Sequence, residues 1–98
     1  MPVLNQTLYG STPMERHIAI RQLVKYDWQK NPIIMSALVA GAKSDTSPAV
    51  RVDCMRHLGG YRMAHPQVIA ELGTLTQDPD SWIREEAVKA LAQLKQPH

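Results

Sequence analysis

A twelve-residue pattern occurs three times in this 98-residue chain, and its recurrence limits the possible folds more than any other feature. Each copy opens on a residue suited to cap a helix N-terminus: Thr12, Ser47 and Asp80. Pro13 and Pro48 follow two of them, at the first helical position, where a missing N–H costs nothing. Thr12 and Glu15 have capping-box spacing. Arg16, Arg51 and Arg84 then coincide, followed by the small residues Ala19, Cys54 and Ala87, and by Leu23, Leu58 and Leu91. The copies are spaced by 35 and 33 residues, within the range of helical-hairpin repeats.

A second motif alternates with the first. Asn31-Pro32 through Val39 aligns with His65-Pro66 through Gly73, with Leu38 and Leu72 in phase. Val68, Ile69, Leu72 and Leu75 have the spacing of one buried helical face. Turn residues fall at Gly59-Gly60, around 43–46 and at Gln77-Asp78-Pro79-Asp80. The pattern therefore predicts five helices, over roughly 12–26, 31–43, 48–59, 65–76 and 80–95. Composition agrees: Phe is absent, and aliphatic residues and Ala supply the apolar content, which suits packed helices better than a β-sandwich.

The stretches Asp45-Thr46-Ser47-Pro48-Ala49-Val50-Arg51 and Asp78-Pro79-Asp80-Ser81-Trp82-Ile83-Arg84 resemble the signature of HEAT repeats, in particular the PBS-lyase HEAT-like type. The resemblance implies an all-α, right-handed α–α superhelix in which the helix before each turn is outer and the helix after it inner. It also implies a ladder between the turn Asp residues, Asp45 and Asp78, and the helix Arg residues, Arg51 and Arg84. Gly10 stands where the first copy should carry its Asp, so Arg16 is expected to lack a partner. Residues 1–98 read as a single repeat domain, a segment of a longer solenoid, with Val3–Leu8 as the last turns of an outer helix. Self-association through an uncapped end is expected, through Ile83, Leu91 and Leu94 of the last helix.

Common chemistries find little support. The net charge of +2 permits an acidic partner without calling for nucleic acid. One cysteine excludes an internal disulfide framework and a multi-cysteine zinc site. No apolar run approaches the roughly 20 residues of a membrane span, and the first residues lack the pattern of a secretory signal. If Met1 is the native start, the location is cytoplasmic. Cys54 and His57 have an i, i+3 spacing that could ligate metal, but Ala holds the cysteine's position in both other copies, which marks it as a small buried residue. His17 and His65 stand isolated. Glu85 and Glu86 diverge around the helix and read as a solvated face, with Glu85 paired to Lys89. Tyr26 and Tyr61 read as packing residues at the hairpin turns, Trp82 as lying over a repeat junction. No catalytic group, metal or cofactor is indicated.

Arg21, Arg56 and Lys89 share one repeat position, which lies opposite the buried stripe by the helical period. Stacking would turn them into a basic column along the concave face, although surface positions are in any case rich in Lys and Arg. The reading that follows is a non-catalytic scaffold that binds a protein or peptide, with this column meeting an acidic segment. The alternatives are nucleic-acid backbone binding and, from the family's name, an accessory module of a lyase-like enzyme.

Overall fold

The computed structural model describes residues 12–95, and the expectations placed on Val3–Leu8 and Gly10 lie outside them. The described residues form five α-helices and no strand: α1 (Pro13–Leu23), α2 (Pro32–Ser44), α3 (Pro48–Gly60), α4 (Pro66–Leu75) and α5 (Ser81–Lys95). Proline occupies the first turn of α1 to α4. Side chains cap four of the five starts: Thr12 Oγ1 accepts from Glu15 N (3.1 Å), Ser47 Oγ from Val50 N (3.4 Å), and Asp80 Oδ1 from Trp82 N (2.9 Å). The fourth is His65, whose Nδ1 accepts from Gln67 N at 3.1 Å, so this imidazole is a helix cap.

Two layers result. α1, α3 and α5 pack in succession, α2 and α4 pack on each other, and α3 joins the layers through its contact with α2, as α5 does through α4. The described body is a slab of 32 × 31 × 16 Å. Its core runs from Ile20 and Leu23 through Ile34, Leu38, Met55 and Leu58 to Leu72 and Ile83, all fully buried. α2 is apolar almost all round because neighbours cover it on several sides: Ile34, Met35, Ala37, Leu38, Val39 and Ala42 are buried.

One boundary, the end of α1, differs from expectation by more than one residue, and the stop of α3 differs in its cause. α1 ends at Leu23, and the chain then tightens, with Lys25 N and Tyr26 N bonding Gln22 O and Leu23 O three residues back. α3 runs through Gly59 and Gly60, which do not stop it. The stop comes at Arg62, in the left-handed region at φ 53°. Arg62 N bonds Gly59 O (3.1 Å) and Met63 N bonds Leu58 O (3.0 Å), a Schellman closure with buried Met63 as its apolar clasp. Gly59 serves packing instead: a Cβ there would lie 3.0 Å from the Ala90 backbone, so the glycine lets α5 approach α3 closely.

Cys54 is fully buried, as its Ala counterparts implied. Desolvation holds its thiol protonated well above the ordinary thiol range, with Asp53 and Asp45 acting in the same direction. Its sulfur fills space left by Gly41 of α2, where a Cβ would come within 2.6 Å of Cys54 Sγ. In a free helix Gly→Ala gains about 1 kcal/mol, whereas overpacking costs about 1–3 kcal/mol. Gly41→Ala should therefore lower the melting temperature of the natural chain and raise it in a Cys54→Ala background. A rise in both backgrounds would show that the cysteine does not occupy this space.

Candidate functional site

Two rows of polar contacts run along the stack. The first joins the repeats at their turns. Arg16 grips Asp45 with two bonds, Nε to Oδ2 at 2.8 Å and an Nη2 bond to Oδ1 at 3.0 Å, and both groups are largely buried. Arg51 repeats the contact one step on, with Nη2 on Asp78 Oδ2 at 2.8 Å and Nε on Ala42 O at 2.9 Å. The expectation that Arg16 lacks a partner is thus corrected. Arg16 and Arg51 each reach forward to the turn that follows their hairpin. Arg84 departs from the expected pairing: it bonds the carbonyls Asp78 O (2.8 Å) and Pro79 O (2.9 Å), not a carboxylate.

Each turn Asp has a second task. Asp45 Oδ1 accepts from Ser47 N (2.8 Å) and Asp78 Oδ1 from Asp80 N (2.9 Å), which folds the turn that launches the next helix. Hydrogen bonds from Arg51 and the Asp80 backbone hold the Asp78 carboxyl below the ordinary carboxylate range.

The second row lies on α1, α3 and α5 and contains the three basic residues singled out in the sequence. Arg21, Arg56 and Lys89 are all exposed. Between the last two stands Glu86, only 6% exposed, which accepts from Arg56 Nη2 at 2.9 Å and lies 3.8 Å from Lys89 Nζ. The Arg56 hydrogen bond lowers the Glu86 pKa and outweighs the burial that would raise it; Lys89 and a bond from Trp82 act in the same direction. Glu86 is therefore a buried hub, not the solvated residue expected, and Lys89 pairs with it rather than with Glu85. Arg56, Glu86, Lys89, Ala92 and Gln93 line an open groove of about 610 Å³.

Asp53 holds the equivalent place one repeat earlier. His17 Nδ1 donates to its Oδ2 at 3.0 Å, so His17 is not isolated. His57 Nε2 lies 3.5 Å from Asp53 Oδ1, yet forms no hydrogen bond and is buried. Burial pushes the His57 pKa below its ordinary value; Asp53 opposes this, and Arg21 adds to it, which puts Arg21 within electrostatic reach of the same cluster. Tyr61 lies tilted against His57, ring centroids 5.9 Å apart, and is half-exposed, as is Tyr26, so neither is part of the core. Among the described residues no three His, Cys, Asp or Glu side chains are grouped to hold a metal ion, and no helix is long and apolar enough to cross a membrane.

Asp53 and Glu86 are evident in the sequence as acids on the same helices as the basic column, but not as a row of their own. Asp53 and Glu86 lie 33 residues apart at one repeat position, the same periodicity that exposed the basic column, but Ile18 at the first copy hid the pattern.

Helical hairpins stacked in two layers, tied turn to helix by Arg–Asp pairs, define an α-solenoid. The model of HEAT repeats matches residues 35–98, more than half of the chain, and the chain belongs to that family. No curated protein and no solved structure matches it. HEAT repeats generally mediate protein–protein interaction.

Two predictions follow from these rows. Arg16→Ala strips a buried carboxylate of its partner and should cost roughly 2–4 kcal/mol, whereas Arg84→Ala loses bonds to neutral carbonyls and should cost about 1 kcal/mol; equal losses in denaturant titrations would contradict the ladder. Acid should destabilise the chain in two stages. His57 is held neutral in the fold, so stability is full above the ordinary histidine value of 6.5 and declines as pH falls below it. Asp78 and Glu86 have lowered pKa values, so their contribution is full above 4.5 and is lost as pH falls further. His57→Gln should remove the upper stage and Glu86→Gln should weaken the lower one, read as melting temperature against pH.

Proposed function

We propose that this chain is a non-catalytic protein-interaction module whose inner-layer face receives an acidic segment of a protein partner. The observation that carries the reading is the joint exposure of Arg56 and Lys89 over one open groove, with Glu86 between them. Arg21 extends the row by one repeat. A solenoid face of this kind offers a long, shallow surface, suited to a peptide in extended or helical form.

Glu86 changes how such a face would work. It holds the Arg56 guanidinium in place and offsets part of the charge. The row sets three cations against two carboxylates, Asp53 and Glu86, so it is only mildly basic. A phosphodiester backbone, which rewards an unbroken row of cations, fits it less well than a peptide carboxylate that takes over one hydrogen bond of Arg56. Charge on such a surface should mainly hasten association and set register.

A glutamate-rich peptide serves as the probe, titrated against the intact chain by calorimetry. Binding should weaken as salt is raised. Reversal of Arg21, Arg56 and Lys89 to Glu should reduce affinity by about tenfold or more while helical content is retained, and Glu86→Gln should tighten binding by releasing Arg56. Unchanged affinity in the triple reversal at low salt would place recognition elsewhere. Tighter binding of a generic DNA duplex than of the peptide would favour the nucleic-acid alternative.

A further inference from the structure

Ile83, expected on an apolar stripe left open on α5, is fully buried, and Leu91 and Leu94 pack partly covered against the core. The feature of the inner layer still unexplained is polar. His17 and Arg21 stand one turn apart on α1, and Asp53 and His57 one turn apart on α3, so each pair shares a helix face. The two faces meet: His17 Nδ1 donates to Asp53 Oδ2 at 3.0 Å, and Arg21 acts on His57 through its charge. Asp53 Oδ1 faces His57 Nε2 across 3.5 Å without a hydrogen bond, and that nitrogen is buried and unpartnered. Buried polar atoms without a partner are rare. This one stands beside a carboxylate that a proton would let it bond.

An imidazolium carries N–H on both ring nitrogens. A proton added to His57 therefore makes Nε2 a donor, whichever tautomer preceded it. A small turn of the ring closes the gap to Asp53 Oδ1, and the carboxylate is then held by two imidazoles. The consequence reaches the groove. Arg56 feels both acids of the row: the Glu86 hydrogen bond raises its pKa most, and the Asp53 charge adds to it. Protonation of His57 offsets Asp53, so a row of three cations against two carboxylates becomes four against two. The other groups packed around α3 are committed elsewhere or exposed. Asp45 of the preceding turn holds Arg16, Glu86 and Lys89 of α5 engage Arg56 and each other, and Arg84 bonds turn carbonyls. Lys43 of α2 and Glu85 and Lys95 of α5 are exposed, and Tyr61 covers one side of the ring.

We propose that His57 and Asp53 make the inner face an acid-strengthened binding surface, on which a proton taken up between them tightens the hold on an acidic protein segment. The inference rests on the reading of that face given above. Burial keeps the free ring neutral near pH 7, with Arg21 acting in the same direction and Asp53 against it. A segment laid along Arg21 and Arg56 brings negative charge to that side and so favours the protonated ring. By linkage, the proton favours the segment to the same extent. The bound segment should also offset part of the acid destabilisation traced to His57.

The test is a calorimetric titration of the intact chain with the glutamate-rich peptide at about pH 7.5 and about pH 5.5, a range in which glutamate stays ionised. Helical content is followed by circular dichroism at both values. The natural chain should bind about threefold or more tightly at the lower pH. Binding at about pH 6 should take up protons, read from its heat in buffers of different ionisation enthalpy. His57→Gln should hold one affinity across the range and take up no proton. Asp53→Asn removes the same counter-charge without a proton, so at the higher pH it should bind about as tightly as the natural chain does at the lower. Equal affinity of the natural chain at both values would overturn the proposal and leave the acidic-partner reading intact. So would a pH response that survives His57→Gln, since it would belong to another group, most directly His17. No binding at either pH would overturn the reading of the face and this proposal with it.

Discussion

An aspartate in each turn couples what would otherwise be separate hairpins. Asp45 and Asp78 each bond both the backbone of the helix they introduce and an arginine from the repeat before: Asp78 uses one oxygen for each, whereas Asp45 Oδ1 serves Ser47 N and Arg16 together and its Oδ2 takes Arg16 Nε. The two tasks are inseparable, because the oxygen that folds the turn also orients the oxygen that receives the guanidinium. A hairpin of this size cannot bury its apolar face alone. The ladder sets the spacing at which α1, α3 and α5 pack in succession, and Ile20, Leu23, Met55 and Leu58 on these helices are fully buried. Burial supplies most of the favourable free energy, while the Arg–Asp contact selects which neighbouring arrangement is reached. Gly41 and Gly59 sit where the helices come closest, so the approach fixed by the turns is made possible by two missing side chains.

Much of this is legible in the sequence, and the rest is not, for definable physical reasons. Caps, prolines and the phase of Arg and Leu located five helices because each is a local signal within a few residues of its effect. The direction of the ladder was not legible. Whether Arg16 meets the turn before it or the turn after it depends on how two helices cross, which no local pattern encodes. The end of α3 was located to within one residue, but its cause was not: Gly59-Gly60 has stop chemistry, yet Gly59 is needed at the α5 contact, and Met63 closes the turn by docking into the core. Glu86 was read as solvated because neighbouring glutamates usually are; it is buried at the junction of α3 and α5 and hydrogen-bonded by Arg56 and Trp82.

The same residues show why the polar face is more specific than its charge suggests. A row of free cations would hold any anion. Here Asp53 organises His17 beside it, and Glu86 restrains Arg56 and Lys89. A ligand must match a patterned surface in which Asp53 and Glu86 are interspersed with Arg21, Arg56 and Lys89. Such a surface discriminates by what it leaves unpaired as well as by what it attracts.

The register of the stack depends on the coupling between a turn aspartate and the arginine of the preceding repeat. A double-mutant cycle on Arg51→Ala and Asp78→Ala, measured by chemical denaturation, isolates that coupling from the aspartate's role in its own turn. An interaction free energy of about 1 kcal/mol or more is expected, with the second substitution costing much less once the first has been made. Losses that simply add, within about 0.3–0.5 kcal/mol, would show that the ladder is a passive contact and that packing alone holds the repeats in place.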